Sequence, residues 1–356
     1  MEMVQQGGSD LLIGANYRPA MRRFGQLVPL GNHPPLATEH LDAILAQVLS
    51  ESELEVFRQE MDMDFAYQIE LPGGGGFCRF RANAFTQRFG PSMVFRSIPR
   101  QIPSLAQLNL PEALGRNLME FHQGLVLVTG PTGSGKTSTL AALIDYANQS
   151  RPLNIITLED PIEYVHHANK SLVVQRQVGM HVDTYANALR AALREDPDLI
   201  LVGELRDVET ISLCITAAET GHLVLGTMNT ISAAQTVGRL VNAFPPRQQS
   251  QIRMMVADSL RGVISQQLLP RRDGMGRIVA VEVLLATSAL ANLIRENKMH
   301  QVNSVIQTAS KKGMMMMDNS LLELVRGGIV DPGEAIDRAH DKNSFVERVY
   351  AVGGNV

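Results

Sequence analysis

One short segment limits the folds open to this chain of 356 residues more than any other feature. Gly130 to Thr137 reads GPTGSGKT, which fits the pattern G-x-x-x-x-G-K-[ST]. The apolar run Gly124 to Thr129 (GLVLVT) is typical of a buried strand, and Ser138 to Ala147 predicts a helix. Because a strand enters this glycine-rich loop and a helix leaves it, we expect a loop that binds phosphate groups.

Each residue type in this loop has its own reason to bind a nucleoside triphosphate such as ATP together with Mg²⁺. Glycines let the backbone curl so that its N–H groups face the phosphates, and a helix N-terminus favours negative charge. Lys136 is expected beside the β- and γ-phosphates, and the Thr137 hydroxyl is expected to coordinate Mg²⁺. The predicted nucleotide-binding residues are Gly130, Pro131, Thr132, Gly133, Ser134, Gly135, Lys136, Thr137 and Ser138.

Strand and helix patterns alternate after the loop, which predicts an α/β fold with a parallel sheet flanked by helices. Residues 288–356 have mainly helical patterns. The further strand candidates are Asn154–Leu158, Leu199–Val202 and Leu223–Thr227, and the helix candidates between them include Thr184–Arg194 and Val208–Thr220.

The first hundred residues have a different pattern and predict a small α+β domain. Apolar residues recur at helical spacing over Thr38 to Arg58. Two strand candidates, Met63–Leu71 and Phe77–Phe85, flank the glycines 73–76 and predict a β-hairpin. Prolines then interrupt the segment 98–111, as in a linker. The predicted organisation is an N-terminal domain at residues 1–98, a linker at 99–111 and an ATPase domain at 112–356.

Acidic residues follow two of the strand candidates, where ligands bind in open α/β sheets. Glu204 follows the strand Leu199–Val202, with Gly203 where an aspartate often stands, and we assign it the role beside the metal. Glu163 is our candidate for the general base that orients the attacking water. His222 opens the strand Leu223–Thr227, where it could contact the γ-phosphate, although a lone histidine is more often structural.

Composition disfavours several classes of protein. The formal net charge of −4 disfavours a nucleic-acid partner, which usually requires a basic surface. No apolar run approaches the roughly 20 residues of a membrane span, so any membrane contact is expected through a partner. The chain has two cysteines, Cys78 and Cys214, far apart in sequence and without metal-ligand spacing, which favours free thiols.

Four blocks in order closely resemble the secretion ATPases of the type II and type IV pilus superfamily. They correspond to that family's Walker A, Asp box, Walker B and His box. The blocks are GPTGSGKT, ITLEDPIEYVHH (Ile156 to His167), ANALRAALREDPDLILVGELRD (Ala186 to Asp207) and GHLVLGT (Gly221 to Thr227).

Within that superfamily the chain looks most like the PilT-type pilus retraction ATPases. ALANLIRE (Ala289 to Glu296) is similar to their C-terminal AIRNLIRE motif. HQVNSVIQT (His300 to Thr308) and the following Met314 to Asp318 also look like that subgroup. RFRANAFTQR (Arg79 to Arg88) and FRSIP (Phe95 to Pro99) match its first domain.

The resemblance implies a homo-hexameric ring with a PAS-like N-terminal domain, a RecA-like ATPase domain and a helical C-terminal segment. Nucleotide is then expected between the domains, with Arg81, Arg88 and Arg96 as candidates to approach the phosphates. An inner-membrane pilus platform protein is the implied partner, which would place the chain in the cytoplasm at the inner membrane through that partner. The implied work is pilus disassembly and twitching motility.

The chain departs from the family pattern at three places. Asn229 stands at the second histidine of the family's T-L-H-T, and Ala291 stands where arginine is usual. Leu12 replaces the histidine of an early S-D-L-H motif. Alternative hypotheses are a related secretion or DNA-uptake ATPase, a nucleic-acid translocating motor on a RecA core, and a regulatory subunit that binds ATP without turnover.

Overall fold

The computed structural model describes residues 1–23, 26–70, 77–98 and 101–351. Contacts between Cα atoms divide the chain into two compact units. The first contains residues 1–101 and 161–165, and the second contains residues 102–160 and 166–356. The predicted hairpin tip at residues 73–76 lies outside the described residues. No helix in the described part of the chain is long and apolar enough to cross a membrane.

The first unit is a six-stranded antiparallel sheet with helices packed on it. Its strands lie in the order β3-β2-β1-β6-β5-β4. The elements are α1 (Glu2–Gln5), β1 (Asp10–Gly14), β2 (Ala20–Arg23), β3 (Gln26–Pro29), α2 (Thr38–Val48), α3 (Glu51–Glu60), β4 (Asp62–Glu70), β5 (Phe77–Gln87) and β6 (Gly90–Ile98).

The pairing of β4 with β5 confirms the predicted hairpin. The two strands are antiparallel, with Glu70 opposite Phe77 beside the tip and Asp62 opposite Phe85 at the far end. Alternation along β5 puts Phe80 and Ala82 in the core and leaves Phe77 exposed, because successive side chains point to opposite faces of a sheet.

The predicted single helix over residues 38–58 is two helices. Leu49 adopts an extended conformation, with φ −104° and ψ 143°. Ser50 then starts α3 with a capping box: its backbone N–H donates to the Glu53 carboxylate at 2.8 Å, and its hydroxyl accepts from the Glu53 N–H at 3.4 Å. These hydrogen bonds satisfy backbone groups at the start of a second helix. The apolar spacing continues across the break between the two helices, which is why it predicted a single one.

The second unit is built on a seven-stranded sheet in the order β13-β12-β7-β11-β10-β8-β9. The neighbouring strands from β12 to β9 are parallel, which confirms the predicted parallel sheet, and β13 is antiparallel to β12. Its first elements are α4 (Glu112–Met119), β7 (Gly124–Thr129), α5 (Lys136–Ser150), β8 (Asn154–Glu159), β9 (Leu172–Gln177), α6 (Tyr185–Ala192), β10 (Leu199–Val202), α7 (Val208–Glu219) and β11 (Leu223–Met228). They continue with α8 (Ala233–Asn242), α9 (Pro246–Ser259), β12 (Leu260–Pro270), β13 (Arg277–Leu285), α10 (Ser288–Arg295), α11 (Val302–Thr308), α12 (Met317–Arg326), α13 (Pro332–Arg338) and α14 (Lys342–Ala351).

Helices cover both faces of this sheet. Alternate residues of β7 belong to different cores: Leu125 and Leu127 pack with helices α6 to α11, whereas Val126 and Val128 pack with α4 and α5. A further core around Phe345 joins α12, α13 and α14. The mainly helical character of residues 288–351 is confirmed. The long hairpin of β12 and β13 was not predicted from the sequence.

Phe95 gives a test of the core in the first unit. Its ring meets those of Phe65, Tyr67 and Phe80 edge to face, with centroids 5.8–6.4 Å apart. We expect Phe95→Ala to lower the free energy of unfolding of this unit by about 3–5 kcal/mol. Native-state hydrogen exchange of β5 and β6 measures it. The control Phe77→Ala, at a side chain 51% exposed, should change it by less than about 0.5 kcal/mol, and equal effects would contradict the assignment.

Candidate functional site

The loop between β7 and α5 has the backbone of a phosphate-binding loop. Gly130, Gly133 and Gly135 have φ angles of 145°, 79° and 91°, a region that other residues rarely adopt. A Cβ atom at Gly130 would lie 2.4 Å from the carbonyl oxygen of Gln266 on β12. Gly135 is the residue before α5, so the free N–H groups at the start of this helix open onto the loop.

Lys136 begins a line of hydrogen-bonded polar side chains at this edge of the sheet. Its ammonium donates to the carbonyl oxygens of Gly130 at 2.8 Å and Pro131 at 3.1 Å, and to Asn229 Oδ1 at 2.8 Å. Asn229 Nδ2 donates to Glu204 Oε1 at 2.7 Å. Burial lowers the pKa of Lys136, and the negative charge of Glu204 opposes that shift. We call Lys136, Asn229 and Glu204 the polar line.

Glu204 follows β10 and has a second charged partner. Its Oε2 lies 2.6 Å from the Arg206 guanidinium, whose side chain is 76% exposed. The hydrogen bond and charge of Glu204 raise the pKa of Arg206. Glu204 is therefore held between the exposed Asn229 amide and a surface cation, next to the loop that would carry the phosphates.

A buried carboxylate at the end of β8 lies at the same edge. Glu159 Oε1 accepts from the Thr157 hydroxyl at 2.6 Å and from Gln175 Nε2 at 3.1 Å. Burial raises the pKa of Tyr185, and the carboxylates of Asp160, Glu159 and Glu204 raise it further. These carboxylates therefore act on Tyr185 through their charge. The described residues contain no cluster of three or more His, Cys, Asp or Glu suited to hold a metal unaided.

The glycine in place of the usual aspartate has a steric explanation. A Cβ atom at Gly203 would lie 2.8 Å from the Tyr185 hydroxyl and 3.2 Å from the carbonyl oxygen of Leu158. The Gly203 carbonyl accepts from the Thr227 hydroxyl at 2.5 Å. The acidic function at this strand end is therefore left to Glu204, one residue later.

Glu163 is the predicted site residue whose position relative to the loop the structure does not decide. It lies in the segment 161–165, whose contacts group it with the first unit. Its side chain is half-buried and follows β8 by four residues. The role of general base stays a prediction.

The structure does not bring His222 to the loop. His222 lies before β11, beside the start of β7, where its carbonyl accepts from the Gly124 N–H at 3.0 Å. The loop follows the other end of β7, where Thr129 pairs with Met228. Five steps along a strand put about 16 Å between these edges. The structure therefore places His222 at the edge of the sheet away from the loop, whereas Asn229 lies at the loop edge, and the contact to the γ-phosphate stays a prediction.

The three candidate arginines of the first unit fall into two places. Arg81 on β5 lies directly opposite Arg96 on β6, which lies opposite Asp10 on β1. Arg96 Nε donates to Asp10 Oδ1 at 2.8 Å, and Arg81 lies 3.7 Å from Asp64. Arg88 lies in the turn after β5, with its guanidinium over the ring of its neighbour, Phe89. The structure therefore brings Arg81 and Arg96 together and leaves Arg88 apart.

Two contributors to the site were missed by reasoning from the sequence. Asn229 was noted only as a departure from the family pattern, although its position just after a predicted strand could have placed it at the loop edge. Gln266 contributes a backbone carbonyl from β12, a strand that was not predicted, and no local signal identifies such a contact.

The sheet and the loop together define a P-loop ATPase with a RecA-like domain, and comparison with known proteins identifies its family. The profile of the Type II/IV secretion system protein family matches residues 35–336, so the chain belongs to this family. A twitching motility protein of Neisseria gonorrhoeae is 47% identical over 327 residues, covering 92% of this chain and 86% of its own length. The type IV pilus retraction ATPase PilT of Pseudomonas aeruginosa is 44% identical, covering 96% and 97% respectively.

A solved structure agrees over nearly the whole fold. The crystal structure of the pilus retraction motor PilT with bound ADP superimposes with a TM-score of 0.88, at 42% identity and with 96% of each chain covered. The chain is therefore a nucleotide-binding enzyme that hydrolyses ATP.

Gly203 offers a test of the packing behind the site. We expect Gly203→Ala to lower the free energy of unfolding by about 1–3 kcal/mol, because the new methyl group meets the Tyr185 hydroxyl. Adding Tyr185→Phe should restore part of the loss, which thermal denaturation measures. Gly238→Ala is the control: nothing lies near its Cβ position, and it should stabilise α8 by about 0.5–1 kcal/mol. Failure of Tyr185→Phe to rescue would contradict this steric explanation.

Proposed function

We propose that six copies of this chain form a ring that hydrolyses Mg-ATP to retract a type IV pilus. The observation that carries the proposal is the polar line at the phosphate-binding loop, in a fold that matches a pilus retraction motor along its length. Pilus disassembly and twitching motility follow as the work performed.

The residues at the loop suit ATP with Mg²⁺. Mg²⁺ usually binds one or two protein oxygens and completes its shell with waters and phosphate oxygens. Thr137 in the first turn of α5 and Glu204 after β10 supply such oxygens. When bound, the ion neutralises charge that develops on the phosphates. The loop residues 130–138 bind the phosphates through backbone N–H groups and Lys136.

Binding of triphosphate changes the polar line. The Lys136 ammonium donates to two backbone carbonyls and to Asn229 Oδ1, and phosphate oxygens compete for these donors. Lys136 then turns to the phosphates and releases the Asn229 side chain, which can contact the γ-phosphate or the attacking water. Asn229 has no titratable proton, so a carboxylate must accept the proton of that water. Glu163 and Glu204 are the candidates.

Pilus retraction requires a partner that receives the motion of the ring. An inner-membrane platform protein of the pilus transmits the motion, and the chain acts in the cytoplasm at that membrane. Arg81 and Arg96 are proposed to approach the phosphates, together with Arg88 as the third candidate.

Ala291 on α10 stands where the family usually has an arginine, so a positive charge is lost there. If the affinity of this chain for its partner differs from that of its relatives, we expect the difference to arise at this helix.

Glu204→Ala tests the assignment at the active site. We expect ATP binding to stay within about threefold of the wild type while kcat falls by about 100-fold or more, because the carboxylate acts on the metal and the attacking water rather than in holding the nucleotide. Steady-state hydrolysis and binding of a fluorescent ATP analogue give the two values. Lys136→Ala should lose both, and Glu209→Ala, at an exposed carboxylate of α7, should lose neither. Equal loss of binding and turnover in Glu204→Ala would refute the role.

The pilus function is tested in a bacterium that lacks its own retraction ATPase. We expect this chain to restore twitching motility, and Lys136→Ala to restore none, because retraction requires hydrolysis. Light scattering of the same purified protein should give the mass of six chains. Active ATPase that restores no twitching would reject pilus retraction and favour a secretion or DNA-uptake role.

A further inference from the structure

The second unit contains a buried carboxylate that the chemistry above does not use. Glu282 on β13 is 1% exposed. Its Oε1 accepts a hydrogen bond from the backbone N–H of Ala233 at 2.7 Å. Ala233 is the first residue of α8, and the loop that leads into this helix begins with Asn229. Glu282 therefore contacts α8, the helix that follows the loop in which Asn229 contacts Lys136.

The other side of this carboxylate faces the C-terminal helices. Its Oε2 lies 3.8 Å from His340 Nδ1. The backbone amide of Met317, the first residue of α12, also acts on the carboxylate. Asp318 accepts from the backbone N–H of His340 at 2.8 Å, which holds the segment after α13 against α12. Glu282 is thus placed between α8 and the C-terminal helical layer.

A carboxylate at this place costs stability. Burial raises the pKa of Glu282, and the backbone amides of Ala233 and Met317 and the ring of His340 only oppose that shift. Apolar side chains of similar volume often replace buried charges without loss of stability. Packing alone therefore does not explain an acid at residue 282.

The loop is anchored from its other side by buried hydroxyls. The hydroxyls of Thr230 and Thr236 lie 2.6 Å apart, and Thr236 reaches the Thr129 hydroxyl at 3.4 Å. Thr129 in turn lies 2.8 Å from the Ser265 hydroxyl and precedes Gly130. These contacts fix Thr230 to the start of the phosphate loop. Gln235 and Thr236 of α8 hydrogen-bond Ile231 and Ser232, and the hydrogen bond to Glu282 then fixes Ala233, the first residue of that helix, to β13.

We infer that Glu282 is a positioning residue that fixes the loop of Asn229 for hydrolysis and links it to helices α12 and α13. Asn229 acts where a γ-phosphate would lie, and ADP has none. Displacement of this loop therefore lowers turnover more than it lowers the affinity for ADP. Movement of α12 against β13 would be transmitted to the polar line through the Glu282 side chain. The inference uses the ATPase activity and does not depend on the role in pilus retraction.

Glu282→Met is the principal test, because methionine fills a similar volume and cannot accept the hydrogen bond from Ala233. We expect kcat for ATP to fall by about tenfold or more, with the Kd for ADP within about twofold of the wild type. The thermal stability should change little, because removal of a desolvated carboxylate offsets the loss of the acceptor for the Ala233 N–H. Glu282→Gln keeps an oxygen acceptor for Ala233 and should restore kcat to within about threefold of the wild type.

Ser320→Ala is the matched control. Ser320 on α12 accepts from the backbone N–H of Val281 on β13 at 3.0 Å, so it joins the same two elements without reaching α8. We expect its kcat to stay within about twofold of the wild type. A double variant with Asn229→Ala should be no slower than Asn229→Ala alone, because both changes act on one step.

Several results would overturn the inference. Wild-type kcat in Glu282→Met would do so, as would a parallel loss of kcat, ADP affinity and stability. The inference would also be rejected if the fold reductions in kcat caused by Glu282→Met and Asn229→Ala multiply in the double variant. If Glu282→Met does not fold, Ala233→Pro removes the same hydrogen bond from the helix side. Proline is accepted at the first helical position, and Ser232 before it is extended, at φ −148° and ψ 159°. The changes in kcat and Kd expected for Glu282→Met are then expected for Ala233→Pro.

Discussion

The hydrogen bond from the Lys136 ammonium to Asn229 is the interaction on which the arrangement of this site depends. A half-buried cation needs acceptors, and here two loop carbonyls and one amide supply them. Triphosphate offers stronger, charged acceptors. In the proposed ATP complex, binding would exchange one set of partners for another and free Asn229, and through it Glu204. The site could then respond to its ligand because the cation has a replaceable partner.

That arrangement exists because parallel strands end together. β7, β10 and β11 bring Lys136, Glu204 and Asn229 to one edge of the sheet, although 93 residues separate Lys136 from Asn229 along the chain. β12 runs parallel to β7 and continues past its end, so that a Cβ atom at Gly130 would lie 2.4 Å from the Gln266 carbonyl oxygen. The hairpin of β12 and β13 thus joins the loop to the strand that carries Glu282. A single sheet connects the site of chemistry with the C-terminal helices.

The parts of the fold that the sequence predicts are those specified by local pattern. The strand, loop and helix around Gly130, the alternation along β5 and the parallel strands all follow from periodicity and turn residues. The break at Leu49 and Ser50 was not predicted because apolar spacing continues across it, although the sequence contains the serine and glutamate of the capping box. β12 and β13 were missed although they pair locally as a hairpin, with the turn residues Asp273 and Gly274 between them.

The candidate site shows where family patterns and geometry must be combined. Sequence alone made His222 the histidine of interest, since it opens an apolar strand, but direction along that strand decides which edge a residue occupies. Position 229, at the other end, is the one in contact with Lys136, and it holds an amide where the family has an imidazole. An amide can bridge a lysine and a carboxylate at once, as Asn229 does, because it offers both an acceptor and a donor. A neutral imidazole can do the same, but only the imidazole can also take up a proton. Asn229 therefore bridges Lys136 and Glu204 in this chain but cannot take up a proton.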